Sequence, residues 1–299
     1  MKPSMKLSTM IARQFSAAGL LCLLAACGGG GSGSPSVATM TATAAPSIQF
    51  GRTLVVTVNG TLLTEGELRM VVDGPCVDIA QANGGTELQL QFTCRIAGVG
   101  DLTARIRTSG GAELASLRGI NVPLPRVSMT VAQGARSGSF VLELDPVAAP
   151  ITVENFLAYV NAAANGGFYR NTIFHRVVAD FVAQAGGYTN GPTVKAPTRT
   201  AIKLEANNGL KNLRGTIAMA RLAEPDSATS QFYLNLADNP GLDFGSAENP
   251  AGYAVFGKVI SGLDIVDEIG KVEVVANPGA GLTHLPVVNV VITGGSQIR

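Results

Sequence analysis

The sequence predicts a mainly β protein: a closed, eight-stranded antiparallel β-barrel with two helices, preceded by a small β-sandwich. Three observations carry that expectation. Short apolar runs of strand length recur along the chain, separated by Gly-rich turns and alternating with period two in its first half. Helical spacing occurs in only two stretches, both beyond residue 149. The two prolines of VPLPRV, residues 122 to 127, disfavour continued pairing and mark a boundary between two β units.

The chain of 299 residues, 46% hydrophobic and 14% charged, can bury a sizeable core and is not a disordered polymer. At its N-terminus Lys2, Lys6 and Arg13 precede the apolar run FSAAGLLCLLAA, residues 15 to 26. That run is shorter than the roughly 20 residues a membrane helix needs, so it reads as an export signal. It ends in Leu24-Ala25-Ala26-Cys27 before a Gly/Ser-rich stretch, which resembles the lipobox of bacterial lipoproteins. The resemblance implies a signal peptide over 1–26, lipidation of Cys27, a tether over 27–45 and anchoring on the periplasmic side of the cell envelope. Gly28 after the cysteine resembles outer-membrane sorting. An ordinary cleaved signal with a chance cysteine is the other reading. Gly28, Gly30 and Gly33 fit a dinucleotide-loop pattern, but no strand precedes them and no helix follows.

Without Lys2, Lys6 and Arg13 the 22 basic residues fall to 19, against 21 acidic ones. Such a near-neutral chain offers no basic field for nucleic acid.

Residues 46–123 form the expected sandwich. In TELQLQFTC, from Thr86, alternation puts Leu88, Leu90, Phe92 and Cys94 on one face. In DLTARIRT, from Asp101, it puts Leu102, Ala104 and Ile106 inward. With RTLVVTVN, GELRMVVD and AELASLRGINV this makes at least five strands, loosely like an immunoglobulin fold but without its tryptophan. If Cys22 leaves with the signal and Cys27 carries lipid, Cys76 and Cys94 remain in an oxidising compartment and are expected to pair, the alternative being two buried thiols. No C-x-x-C supports redox catalysis.

Beyond the boundary, RVSMTVAQG and SGSFVLELDP read as a hairpin. Pro150 opens a helix whose Val153, Phe156, Leu157 and Val160 share one face, with Glu154 near its start. Strands follow at TIFHRVV, FVAQAGG, GTIAMAR, SQFYLNL and YAVFGKV, then a short helix at LDIVDEIG and a last strand at PVVNVVIT. Eight strands and two helices fit a closed barrel.

Within these strands, Phe174-His175-Arg176-Val177, Phe181, Gln184, Gly186-Gly187, Gly215-Thr216-Ile217-Ala218-Met219-Ala220, Ser230-Gln231-Phe232 and Val255-Phe256-Gly257-Lys258-Val259 follow in one order and spacing. That order resembles the cyclophilins, and EANNGLKNLRGTIAMAR, from Glu205, is similar to their bacterial members. The resemblance covers residues 126–296 and says nothing about 46–123. It implies a peptidyl-prolyl cis-trans isomerase, without cofactor or metal, acting on proline-containing polypeptides as a monomer.

The residues make physical sense of that activity. Rotation about an X-Pro bond is slow because amide resonance must be lost, at a barrier of about 20 kcal/mol. No bond breaks, so no nucleophile or proton shuttle is required. A donor aimed at the imide nitrogen stabilises the twisted amide alone. By the resemblance Arg176 is that donor and Gln184 holds the peptide backbone. Phe181, Val182, Tyr233 and Leu242 form the proline cup; Ala220, Arg221, Gln231 and Tyr253 line the adjoining groove. Taken singly, the apolar residues could be ordinary core, Arg176 a surface ion pair and Gln184 a sheet-edge hydrogen bond. The sequence departs from many members at Val182 (methionine), Tyr233 (phenylalanine), Gly241 (aromatic) and Tyr253 (histidine in eukaryotes). Alternation turns His175 away from Arg176, as a structural residue. The alternative function is a non-catalytic proline-peptide binding or scaffold module anchored to the membrane.

Overall fold

The computed structural model describes residues 33–44, 47–162 and 167–299. The expected signal peptide and Cys27 lie outside the described residues.

The first unit is two sheets face to face. One has the order β1 (Ser36–Thr43), β2 (Thr53–Thr61), β5 (Gln89–Ile96), β4 (Cys76–Gln81); the other has β3 (Arg69–Asp73), β6 (Gly100–Arg107), β7 (Glu113–Val122). Leu54, Val56 and Val58 of β2 and Leu90, Phe92 and Cys94 of β5 bury against Met70, Leu102, Ala104, Ile106 and Leu117 from the opposing sheet. Period-two alternation puts each of these on the inner face.

Two expectations need correction. Residues 36–43, assigned to the tether, form β1, which pairs with β2 from Ser36↔Thr61 to Thr43↔Val55. Its Val37, Met40 and Ala42 pack on the sandwich core, so this weakly apolar strand is held by its neighbour. Leu88 is 64% exposed, not inward. The Thr86 hydroxyl accepts the Leu88 and Gln89 amides in a turn, and the strand starts only at Gln89. A disulfide joins Cys76 of edge strand β4 to Cys94 of β5, their Cα atoms 5.7 Å apart.

The second unit runs β8 (Arg126–Gln133), β9 (Arg136–Leu144), α1 (Pro150–Val160), β10 (Thr172–Val178), β11 (Val182–Thr189), β12 (Thr193–Val194), β13 (Thr216–Met219), β14 (Phe232–Asn235), β15 (Val255–Ser261), α2 (Leu263–Gly270), β16 (Val274–Asn277), β17 (Leu282–Pro286) and β18 (Val291–Gln297). The sheet order β10-β18-β8-β9-β15-β13-β14-β11 is closed by pairing of β11 with β10, giving an eight-stranded barrel in which every pair is antiparallel. Closure leaves no edge among these strands. Val177, Ala183, Ala185, Ile217, Leu234 and Phe256 share the core with Val127, Met129, Phe140 and Leu142.

Helix α1 seals this core through Phe156, whose ring lies 5.2–5.6 Å from those of Tyr169, Phe232 and Phe256. The carboxylate at its N-terminus is not Glu154 but Glu205, remote in sequence. Glu205 accepts the Ile151 amide at 3.1 Å and the Thr152 amide at 2.8 Å, satisfying two donors that the helix leaves free.

The two units meet at the barrel. Phe50, from the loop before β2, is buried in the barrel core, and its carbonyl accepts from Gln297 Nε2 at 3.1 Å. Asn161, just after α1, donates to Gln297 at 2.8 Å and accepts from Arg52 at 3.2 Å.

Candidate active site

Strand register builds the site. Arg176 of β10 stands opposite Gln184 of β11, Gln184 opposite Tyr233 of β14, Tyr233 opposite Ala218 of β13, and Ala218 opposite Val255 of β15. Opposed residues in antiparallel strands share a face. Their neighbours Val177, Ala183, Leu234 and Ile217 enter the barrel core, so this row faces out. Val182, Ala218, Tyr233 and Val255 form a second apolar cluster on it, joined by Phe181, Leu242, Ala220 and Tyr253.

A cleft of about 360 Å³ opens over this cluster, lined by Arg176, Phe181, Val182, Gln184, Ala220, Arg221, Tyr233, Leu242 and Tyr253. Of the residues expected in the site, Gln231 alone is not in the lining. It stands behind Gln184 and accepts from its Nε2 at 2.9 Å. Gln184 is therefore not at a sheet edge: β11 lies between β10 and β14.

The two arginines differ in engagement. Arg176 is half-buried, with its guanidinium carbon 5.7 Å from the Phe181 ring centre, and among the described residues no hydrogen bond or ion pair occupies it. Arg221 donates to Gly252 O at 3.0 Å, Asn249 Oδ1 at 2.9 Å, Leu222 O at 2.9 Å and Ala223 O at 3.1 Å, and lies 4.7 Å from the Tyr253 ring centre. Its donors thus hold the 245–252 loop against the groove.

Behind the cup lies a polar layer that sequence reasoning missed. The Tyr233 hydroxyl donates to Asn212 Oδ1 at 2.8 Å, and burial pushes its pKa well above the usual 10. Asn239 donates to Phe181 O at 2.9 Å and to Asn235 Oδ1 at 2.7 Å. An asparagine near an apolar motif gives no sign in sequence of which wall it will face.

His175 departs from alternation. The β10–β11 register shifts between Phe174 and Arg176, and the His175 ring lies 4.6 Å from Tyr188. Burial lowers its pKa to about 4; the Arg176 charge adds to this, while the Ile173 backbone and the Gln231 side chain oppose it. It is neutral at pH 7 and lies beside the site.

The lining contains no carboxylate, histidine, cysteine or serine. An apolar cup beside an unengaged guanidinium suits an apolar ring held next to a hydrogen-bond donor. The model of the family described as cyclophilin type peptidyl-prolyl cis-trans isomerase/CLD matches residues 126–294. The chain belongs to that family.

Peptidyl-prolyl cis-trans isomerase A of Dickeya dadantii is 51% identical over 137 residues, 46% of this chain and 68% of that protein. Peptidyl-prolyl cis-trans isomerase cyp18 of Streptomyces antibioticus is 47% identical over 164 residues, 54% of this chain and 95% of that protein. A Cryptosporidium parvum cyclophilin type peptidyl-prolyl cis-trans isomerase, solved in the presence of dipeptide ala-pro, aligns at a TM-score of 0.45 and 23% identity, over 58% of this chain and 99% of that one.

Proposed function

We propose that this isomerase works in the cell envelope, tethered by lipid at Cys27, where it speeds X-Pro rotation in exported polypeptides. The observation that carries the catalytic assignment is Arg176: a permanent cation with free donors beside an apolar cup. The pyrrolidine ring sits among Phe181, Val182, Tyr233 and Leu242, and Gln184 holds the peptide backbone. As the bond twists, the imide nitrogen regains its lone pair and accepts from Arg176. That interaction exists only in the transition state and so raises turnover.

The envelope reading is supported by the export-type N-terminus and the sequence at Cys27, and the Cys76–Cys94 disulfide fits an oxidising compartment. Two measurements test the proposal. NMR exchange of a proline tetrapeptide should accelerate when the full chain is added; binding without acceleration means a recognition module instead. Labelled palmitate fed to expressing bacteria should enter the parent and not the Cys27→Ser variant. Equal labelling of both sinks the anchor.

A further inference from the structure

The polar layer under the cup has one member, Asn212, that bonds the side chain of a cup residue, Tyr233. Asn212 is almost wholly buried, at 1% exposure. Its backbone amide and Nδ2 both donate to Asp243 Oδ1, at 2.8 and 3.0 Å. A carboxylate only accepts, so Asp243 fixes which way the Asn212 amide faces. Oδ1 is thereby turned to the Tyr233 hydroxyl at 2.8 Å, and it also accepts from Asn235 Nδ2 at 3.2 Å.

Loss of the Asn212 side chain falls unequally on these partners. Asn235 Nδ2 keeps Thr216 Oγ1 at 2.9 Å. Asp243 keeps the Asn212 backbone amide and Lys211, 3.5 Å away. The Tyr233 hydroxyl loses its one hydrogen bond among the described residues. A buried phenol needs a partner, and the ring's open side is the cleft, where water is available. What then holds the ring is apolar packing among Val182, Ala218 and Val255 and the edge-on contact with Tyr253, ring centres 5.7 Å apart, neither of which fixes the hydroxyl.

We propose that Asn212 is a positioning residue for the proline cup: it holds Tyr233 in the wall by its hydroxyl and so sets the affinity for the proline ring. The proposal rests on the isomerase reading of this cleft. Tyrosine at this wall works only with the asparagine behind it, and the pair should behave as a unit.

The test uses the full chain, a proline tetrapeptide, its Kd from NMR titration and its exchange rate at saturation. Asn212→Leu should raise Kd about tenfold while the saturated rate falls less than about threefold, as for loss of uniform binding. Adding Tyr233→Phe removes the stranded hydroxyl and should bring Kd back to within about threefold of the parent, since replacing both partners of a buried bond is far milder than replacing one. Unchanged Kd in Asn212→Leu overturns the proposal, as does a double variant no tighter than the single. Should Asn212→Leu not fold, the double variant decides: folding with near-parental Kd supports the pairing, and failure to fold makes Asn212 a stability residue. A parent that binds without accelerating exchange defeats the isomerase reading, while the Kd comparison still judges Asn212. A parent that does not bind overturns both.

Discussion

Arg176 and Gln184 stand directly opposite one another on β10 and β11 and face the same cleft, yet only Gln184 is held, donating to Gln231 at 2.9 Å. Among the described residues the Arg176 guanidinium has no hydrogen bond or ion pair, and it lies 5.7 Å from the Phe181 ring centre. One member of the pair is tied to the scaffold and the other has donors to offer a ligand.

His175 makes stability depend on pH. Its folded pKa of about 4 lies below the ordinary 6.5, so its contribution is present above pH 6.5 and is lost as pH falls toward 4. Between pH 7.5 and 5.0 that loss is roughly 2 kcal/mol. Urea melts of the parent and of His175→Phe, which keeps a ring against Tyr188, should differ by about this amount in their pH dependence. Parallel pH profiles would remove His175 from the account.

Phe50 ties the sandwich to the barrel. Phe50→Ala empties a site in the barrel core and should cost about 3 kcal/mol. The loss should appear in amide exchange of β8 and β18 as well as in the sandwich. A cost below about 1 kcal/mol, or protection lost in the sandwich alone, would show that the units are independent.

The disulfide closes a sequence separation of 18 residues, which on chain-entropy grounds stabilises the sandwich by about 3 kcal/mol. Without reductant, Cys76 and Cys94 should resist alkylation in denaturant. The Cys76→Ala/Cys94→Ala variant should melt earlier in the sandwich. Ready labelling of both thiols in protein exported to the periplasm would contradict the bond.

The barrel was legible because its eight strands each announce themselves locally, as apolar runs between glycine turns. β1 did not, since its Ser/Thr/Ala-rich sequence carries little apolar signal and Met40 is its only fully buried side chain. β4 escaped because it is an exposed edge strand held by pairing and by Cys76. The cleft residues were found through the resemblance of the motifs to the cyclophilins. The side of the strand on which His175 lies was not, because a bulge between Phe174 and Arg176 breaks the alternation on which the reading relied. Nor were the partners of Tyr233 and Arg221, since Asn212 and Asn249 are 21 and 28 residues away and meet them only through the fold.

The most direct test of the account is kcat/KM for proline tetrapeptide isomerisation by the full chain and its Arg176→Ala variant, with peptide Kd measured alongside. The account predicts at least a tenfold fall in kcat/KM, about 1.4 kcal/mol of transition-state stabilisation, with Kd changed less than about threefold. Equal kcat/KM in parent and variant, or a loss that lies wholly in Kd, would contradict it.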